Sequence, residues 1–172
     1  MKIQKLTVEN HAKVYALLQL AFPGSEYEAG LVQQLHENCR AMHEWVCIHT
    51  NKVIAYIAFS NAYHGKNICG LHLAPMAVAP DFQKKGVGTE LLGFALRQEA
   101  IKSRSLFVMG APGYFHRFGF EPCSMPICPF DTNNAHFLSM RNNTIAGFVV
   151  GYEPEFKAAA RPRPQGKKRR TR

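Results

Sequence analysis

The sequence has no apolar run near the length of about 20 residues that a membrane-spanning helix needs. Its longest apolar run, residues 53–59, has the length of a single strand. The first six residues also have no apolar stretch of the kind found in a secretory signal peptide. We therefore expect a soluble, cytoplasmic protein with no membrane partner.

Cysteine occurs in an odd number and without paired spacing. The five residues are Cys39, Cys47, Cys69, Cys123 and Cys128, and no two of them form a Cys-x-x-Cys motif. This pattern argues against a disulfide framework and against a structural zinc site. We expect five reduced thiols, several of them buried, and no bound metal.

Acidic residues are absent from the end of the chain. The 172 residues carry a net charge of +9, but eight basic side chains follow residue 156 with no Asp or Glu among them. Subtracting these eight charges leaves +1 on residues 1–156. We expect a single domain over residues 1–156 and a basic, flexible tail over 157–172. Any contact with nucleic acid would be made only through this tail.

The rest of the sequence alternates between strand-like and helix-like segments. A helix is predicted after Asn10, another after a break at Pro23, and a short one ends at Gly119. The remaining predicted elements are strands at 2–7, 45–50, 53–59, 71–78 and 105–109, a helix at 88–103, and two weaker strands within 135–152. This order predicts an α/β sandwich around one mixed sheet, with a right-handed crossover between the strands at 71–78 and 105–109.

The most informative segment is the loop Gln83-Lys-Lys-Gly86-Val-Gly88, which joins a predicted strand to a predicted helix. Its two glycines allow a ligand to approach the backbone closely, and the helix N-terminus provides N–H groups for a pyrophosphate. Thr89 can add a hydroxyl, and Lys84 or Lys85 a positive charge. A Rossmann loop would need a third glycine where Leu91 stands, and a Walker loop would need Gly-Lys-Ser/Thr. An ordinary glycine turn is the remaining alternative.

The loop resembles the acetyl-CoA loop of the GNAT superfamily of N-acetyltransferases. A second block, residues 113–122, is similar to the Tyr-x-x-x-Gly-Phe element that follows the next strand in that family. Residues 74–80 and 117–120 resemble the bacterial YhbS-like predicted acetyltransferases in particular. The resemblance covers about residues 1–152.

This resemblance implies a mixed, V-splayed central sheet flanked by helices, with acetyl-CoA as co-substrate. Pantetheine would lie in the split between the strands at 71–78 and 105–109, and the pyrophosphate would lie on residues 83–89. The implied cofactor-binding residues are Met76, Ala77, Val78, Gln83, Lys84, Lys85, Gly86, Val87, Gly88, Thr89 and Phe115.

The usual catalytic groups are difficult to find in this sequence. Family members often use a glutamate-led water relay as base and a tyrosine as acid. The tyrosine position falls on Phe115, which has no proton to donate, whereas the adjacent Tyr114 should point elsewhere on its helix. His72 is the one titratable group in the strand at 71–78. Tyr114 as acid and His72 as base are therefore the candidates. The alternative is an enzyme that depends on positioning, with water handling the protons.

The implied activity is transfer of an acetyl or other acyl group from acetyl-CoA to a primary amine on a small molecule or peptide. Residues 23–29 and 140–147 are expected to shape the acceptor pocket, with Glu26 and Glu28 as candidate contacts. One alternative is an acyl-CoA-binding sensor or interaction module with little transferase activity. Another is an RNA- or ribosome-associated protein that acts through the basic tail.

Overall fold

The protein is described by a computed structural model, which covers residues 1–160. The strands are β1 (Lys2–Lys5), β2 (Met42–His49), β3 (Lys52–His64), β4 (Asn67–Val78), β5 (Leu106–Met109), β6 (Glu121–Pro122) and β7 (Phe137–Met140). The helices are α1 (His11–Ala21), α2 (Tyr27–Glu37), α3 (Val87–Leu96), α4 (Pro112–Phe115) and α5 (Glu155–Ala159). The strands form one sheet in the order β1-β2-β3-β4-β5-β7-β6, in which the β4–β5 pair is parallel and the others antiparallel. The expected mixed α/β architecture is confirmed.

The central strands are buried on both faces, because helices cover each side of the sheet. Ile57 and Phe59 of β3 face the α3 side, together with Leu91 and Leu92 of that helix. Tyr56 lies on the opposite face with residues of α1 and α2. The alternation of side chains along a strand sends successive apolar residues into two separate cores. This explains why residues 53–59 are continuously apolar.

The sheet opens between its two parallel strands. β4 has 12 residues, yet it pairs with β5 only at Leu71↔Leu106 and His72↔Phe107. Beyond these positions the strands diverge, which is the predicted V-shaped splay. On its other edge, β4 carries a bulge, where Ala74 and Pro75 lie opposite the single residue Ala58 of β3. Residues 73–78 therefore have a backbone edge that β5 does not cover.

Several predicted boundaries differ from the structure. α3 ends at Leu96 rather than near residue 103, because the chain then turns through i→i+3 bonds that bring Ile101 into the core. β3 and β4 extend to a turn at Gly65 and form a longer hairpin than predicted. Residues 135–152 hold one strand, β7, together with isolated bridges instead of two strands. Asn10 precedes α1, but its side chain makes no capping bond.

Three further observations bear on the sequence predictions. Within residues 1–160, no helix combines the length and apolar character needed to cross a membrane. No group of three or more metal-ligating side chains is found in this part of the chain. All five cysteines lie within residues 1–160, and each is a free thiol. The predicted boundary at 156/157 falls inside α5, and the predicted tail from residue 161 onward lies outside the described residues.

A buried charge cluster attaches the C-terminal segment to α2. Arg40 Nε lies 2.9 Å from Glu155 Oε1 and 3.6 Å from Glu153 Oε2, and these carboxylates are 3% and 4% exposed. Asn38 also donates to Glu155, and Tyr63 donates to Glu153, each at 2.7 Å. Burial alone would raise the pKa of Glu155, but hydrogen bonds from Asn38, the backbone and Arg40 outweigh it and leave the pKa below its ordinary value. The cluster therefore stabilises the fold above the ordinary carboxyl pKa, and this stabilisation is lost as pH falls below it.

We predict that Arg40→Met lowers the free energy of unfolding at pH 7 by about 2 kcal/mol. Breaking a fully buried ion pair costs more than this, but the Arg40 side chain is 36% exposed. Urea denaturation measures the change, with Lys102→Met as the control, because Lys102 forms an exposed pair with Glu99. The control should change by less than about 0.5 kcal/mol. Equal stabilities for the two variants would contradict the prediction.

Candidate active site

The loop between β4 and α3 contains two residues with left-handed backbone conformation and lines the space at the end of β4. Lys84 and Gly86 have positive φ values of 58° and 83°, and Gly86 is the N-cap of α3. The Gln83 side chain donates to the carbonyl of Val78 at 3.0 Å and so fastens the loop to the end of β4. The amides of the first turn of α3 have no acceptor within the helix, as at any helix N-terminus. Together with the helix dipole, they favour an anionic ligand.

A cavity of about 620 Å³ opens beside this loop, and we name it the glycine-loop cavity. Its lining residues come from the end of α1, β4, the loop, the first turn of α3, and α4 with the turn after it. They are Ala21, Phe22, Met76, Ala77, Val78, Phe82, Gln83, Lys84, Gly86, Gly88, Thr89, Tyr114, Phe115 and Arg117. The lining contains two cations, Lys84 and Arg117, and no carboxylate. The cavity therefore suits a polyanion.

Nine of the eleven residues predicted to bind the cofactor line this cavity. The side chains of the other two, Lys85 and Val87, lie outside it. Val87 is 5% exposed and packs in the core, whereas the Lys85 ammonium lies 5.9 Å from the centre of the Phe82 ring. Arg117 lines the cavity, although the sequence gives it no feature that separates it from an ordinary surface arginine.

Tyr114 extends towards the start of α3. A methyl group placed on Gly88 would lie 3.2 Å from the Tyr114 hydroxyl oxygen. This hydroxyl is buried and makes no hydrogen bond within residues 1–160. Burial raises the pKa of Tyr114, and the neighbouring Thr89 and Arg117 act in the opposite direction. The Tyr114 ring packs edge-on against that of Phe115, at a centroid distance of 5.0 Å.

A second cavity, of about 470 Å³, lies on the other side of Phe115, and we name it the aromatic cavity. One wall comes from the end of α1 and from α2, the floor comes from β4 and β5, and the last wall comes from the C-terminal segment. The lining residues are Phe22, Tyr27, Glu28, Leu31, His72, Leu73, Ala74, Pro75, Met76, Phe107, Val108, Met109, Phe115, Phe130, Tyr152, Phe156 and Ala160. Seven of these are Phe or Tyr.

Phe22, Met76 and Phe115 line both cavities, so the two spaces meet at these residues. Phe115 is 9% exposed and packs edge-on against Phe120 at a centroid distance of 5.6 Å. The sequence places Phe115 where the resemblance leads us to expect an acidic hydroxyl. The structure thus puts an apolar ring, without a proton to donate, at the junction.

His72 is a buried, neutral residue in the floor of the aromatic cavity. It is 1% exposed, stacks on Tyr152 at a centroid distance of 3.6 Å, and shares a 2.9 Å hydrogen bond between Nε2 and the carbonyl of Gly151. Since a carbonyl only accepts, Nε2 carries the proton and Nδ1 is unprotonated. Burial lowers the pKa of His72 from 6.5 to about 4, against the effect of the Gly151 bond. Proton uptake at this site is therefore unfavourable near neutral pH.

The structure places the residues expected at the acceptor pocket in different parts of the molecule. Glu28 lines the aromatic cavity, whereas Glu26 does not. Residues 140–147, also expected at this pocket, lie elsewhere, since Met140 to Thr144 border a separate polar cleft near β6. The C-terminal wall is formed instead by Phe130, Tyr152 and Phe156. Isolated apolar residues like these have no sequence signature that separates a cavity wall from a core.

Comparison with known sequences shows a likeness over the central part of the chain. The profile of the acetyltransferase (GNAT) domain matches residues 40–122. The chain is 33% identical over 107 residues to the uncharacterized N-acetyltransferase YjhQ of Escherichia coli K12, a match that covers 59% of each chain. The matched region thus spans about three-fifths of that relative's length.

Solved structures show the same fold. The chain is similar to the GNAT family N-acetyltransferase YhbS of Escherichia coli in complex with CoA, with a TM-score of 0.82, 24% identity and 91% of each chain covered. It is also similar to a GNAT family acetyltransferase from Brucella melitensis in complex with acetyl-CoA, with a TM-score of 0.75, 23% identity, and 90% of this chain and 97% of that chain covered. These matches show that the chain has the fold of the GNAT acetyltransferases, as its sequence predicts.

We predict that His72 makes the fold sensitive to acid. Its pKa is lower in the folded state, so the unfolded chain binds more protons and stability falls as pH drops from 6.5 towards 4. At about 1.4 kcal/mol per pKa unit, this loss approaches about 3 kcal/mol. His72→Phe keeps an aromatic ring beside Tyr152 and cannot titrate. Urea denaturation at several pH values should show that wild type loses this stability relative to the variant, and parallel profiles would refute the assignment.

Proposed function

We propose that the protein is an acetyl-CoA-dependent N-acetyltransferase that acts on a primary amine. The observation that carries this proposal is the glycine loop at the start of α3, which opens onto a cationic cavity beside the gap between β4 and β5. The two structurally similar proteins, crystallised with CoA and with acetyl-CoA, support the same ligand.

The residues around the glycine-loop cavity fit the cofactor in three respects. A methyl group on Gly88 would lie 3.1 Å from Met76 Cε and 3.3 Å from Val78 Cγ2, so a larger side chain would displace residues that line the cavity. The buried Tyr114 hydroxyl lacks a partner among the described residues and faces the same place. Lys84 and Arg117 provide positive charge for phosphate groups.

The uncovered edge of β4 offers a second set of interactions. After His72, β4 has no register partner on β5, so its backbone groups on that side need another acceptor or donor. The amides of pantetheine can pair with the backbone of Met76–Val78 as a short additional strand. This placement directs the thioester towards the junction at Phe115, where the two cavities meet.

The reaction needs a neutral amine at that junction. When bound, acetyl-CoA supplies the acetyl group as a thioester. The amine nitrogen forms a bond to the carbonyl carbon, the carbon–sulfur bond breaks, and the nitrogen loses one proton while the departing sulfur gains one. Among the described residues 1–160, Phe22, Met76 and Phe115 line both cavities at the junction, and none of these three side chains is protic. Positioning of the two reactants provides the rate enhancement, for which proximity supplies up to roughly 7–11 kcal/mol, and water exchanges the protons.

Neither catalytic candidate from the sequence is needed in this scheme. His72 would have to become a buried imidazolium, which its lowered pKa disfavours. The Tyr114 hydroxyl lies beside Gly88, in the glycine-loop cavity and away from the aromatic cavity. We assign Tyr114 to cofactor binding. Release of free CoA from acetyl-CoA in the presence of amines tests for transferase activity, whereas acetyl-CoA binding without release would indicate a sensor.

We predict that Gly88→Val weakens acetyl-CoA binding at least tenfold, because the added methyl groups occupy the pyrophosphate site. Gly93→Val is the matched control on the same helix, where an added methyl would meet only Arg97 Nη1 at 3.5 Å. Calorimetric titration measures both affinities, and circular dichroism checks both folds. Affinity at the wild-type level in Gly88→Val would exclude this site for the pyrophosphate.

We also predict the effects of two aromatic substitutions on turnover. Phe115→Tyr adds a hydroxyl at the junction and should leave kcat unchanged or raise it, since general acid help is worth up to about 10²–10⁴-fold. Tyr114→Phe should keep kcat within about twofold while raising the KM for acetyl-CoA. Initial rates at varied acetyl-CoA separate the two constants. A hundredfold loss of kcat in Tyr114→Phe, with cofactor affinity preserved, would identify Tyr114 as the acid.

A further inference from the structure

The aromatic cavity has few charged and many apolar side chains in its lining. Among residues 1–160, its lining contains one carboxylate, Glu28, and no lysine or arginine. Apart from Glu28 and the neutral His72, the wall consists of aliphatic and aromatic side chains. If an amine with several charges or hydroxyl groups bound here, most of those groups would have no hydrogen-bond or ion-pair partner. Their desolvation would then cost a large amount of binding free energy.

Most polar atoms in the wall are already engaged. The Tyr27 hydroxyl donates to the carbonyl of Phe156 at 3.1 Å, and the Tyr152 hydroxyl lies 3.4 Å from Cys128 Sγ. His72 uses Nε2 on Gly151, whereas its buried Nδ1 has no hydrogen-bond partner within residues 1–160. These side chains therefore present ring faces and edges to a ligand, with Glu28 as the one charged group.

Glu28 is connected to Phe22 through Ser25. Its Oε2 accepts a 2.6 Å hydrogen bond from the Ser25 hydroxyl, and the Ser25 amide bonds to the carbonyl of Phe22 at 3.1 Å. Phe22 lines both cavities. Within residues 1–160, no basic side chain lies within ion-pair distance of Glu28. The carboxylate is held in place and remains available to a cation near the junction.

We infer that the acceptor is a monocationic primary amine attached to an aromatic body, of the arylalkylamine class. This inference rests on the proposed transferase function. The ammonium pairs with Glu28 on entry and loses its proton to water, and the neutral nitrogen then attacks the thioester carbon. Its aromatic ring lies against Tyr152, Phe156 and Phe130. A volume of about 470 Å³ accommodates one or two fused rings with a short side chain.

The test compares three amines at saturating acetyl-CoA, with free CoA as the readout. 2-Phenylethylamine carries one charge, phenylalanine adds a carboxylate to the same skeleton, and spermidine replaces the ring with further charges. We expect kcat/KM for 2-phenylethylamine to exceed the values for phenylalanine and spermidine at least 100-fold. The extra charged groups of those two amines would be buried without partners, which lowers kcat/KM strongly. A preference for spermidine or phenylalanine overturns the inference but leaves the transferase function intact. Acetyl-CoA binding without CoA release from any amine overturns both.

A pair of variants tests the role of the carboxylate. Glu28→Gln should raise the KM for 2-phenylethylamine at least tenfold and leave the KM for acetyl-CoA unchanged. Glu26→Gln is the matched control, since Glu26 is exposed two residues earlier and does not line the aromatic cavity. Its constants should stay within twofold of wild type. Equal effects of the two variants on the amine KM would overturn the assignment of Glu28.

Discussion

Backbone groups along one edge of β4 lose their strand partner after His72, because β4 and β5 share only two register positions before they diverge. Buried N–H and C=O groups have to be paired. Where the sheet opens between β4 and β5, the unpaired backbone groups of β4 can form hydrogen bonds with a ligand that carries amide groups. The surrounding elements are arranged about this opening. α3 starts just beyond the end of β4 and directs its first-turn amides to the gap, while α4 follows β5 and places Phe115 across it.

The opening separates two regions of opposite electrostatic character. Lys84 and Arg117 border the glycine-loop cavity, and Glu28 borders the aromatic cavity. Under the proposed function, a polyanionic cofactor and a cationic acceptor would each be attracted to one side and repelled from the other. The apolar side chains of Phe22, Met76 and Phe115 lie between the two regions.

The sequence predicts the parts of the site that are local in the chain. The glycine loop, the start of α3 and the turn at Gly119 follow from short-range rules on φ values and helix ends, and the structure has all three. The burial of His72 depends on Gly151 and Tyr152, which lie about 80 residues later in the chain. A local sequence pattern cannot predict a contact over such a separation. The C-terminal wall was missed for the same reason. The end of α3 was misplaced because helical periodicity continues through residues that tertiary packing turns into the core.

The two halves of the site have different origins along the chain. Residues 40–122, which match the family profile, contain most of the glycine-loop cavity and the floor of the aromatic cavity. The walls of the aromatic cavity come from α1 and α2 before this region and from residues 130–160 after it. The second wall is attached by a bridge between Tyr63 and Gly151 and by the Arg40 cluster. Substitutions in these flanking walls can consequently change the shape of the aromatic cavity while the glycine loop, which lies outside them in the chain, stays the same.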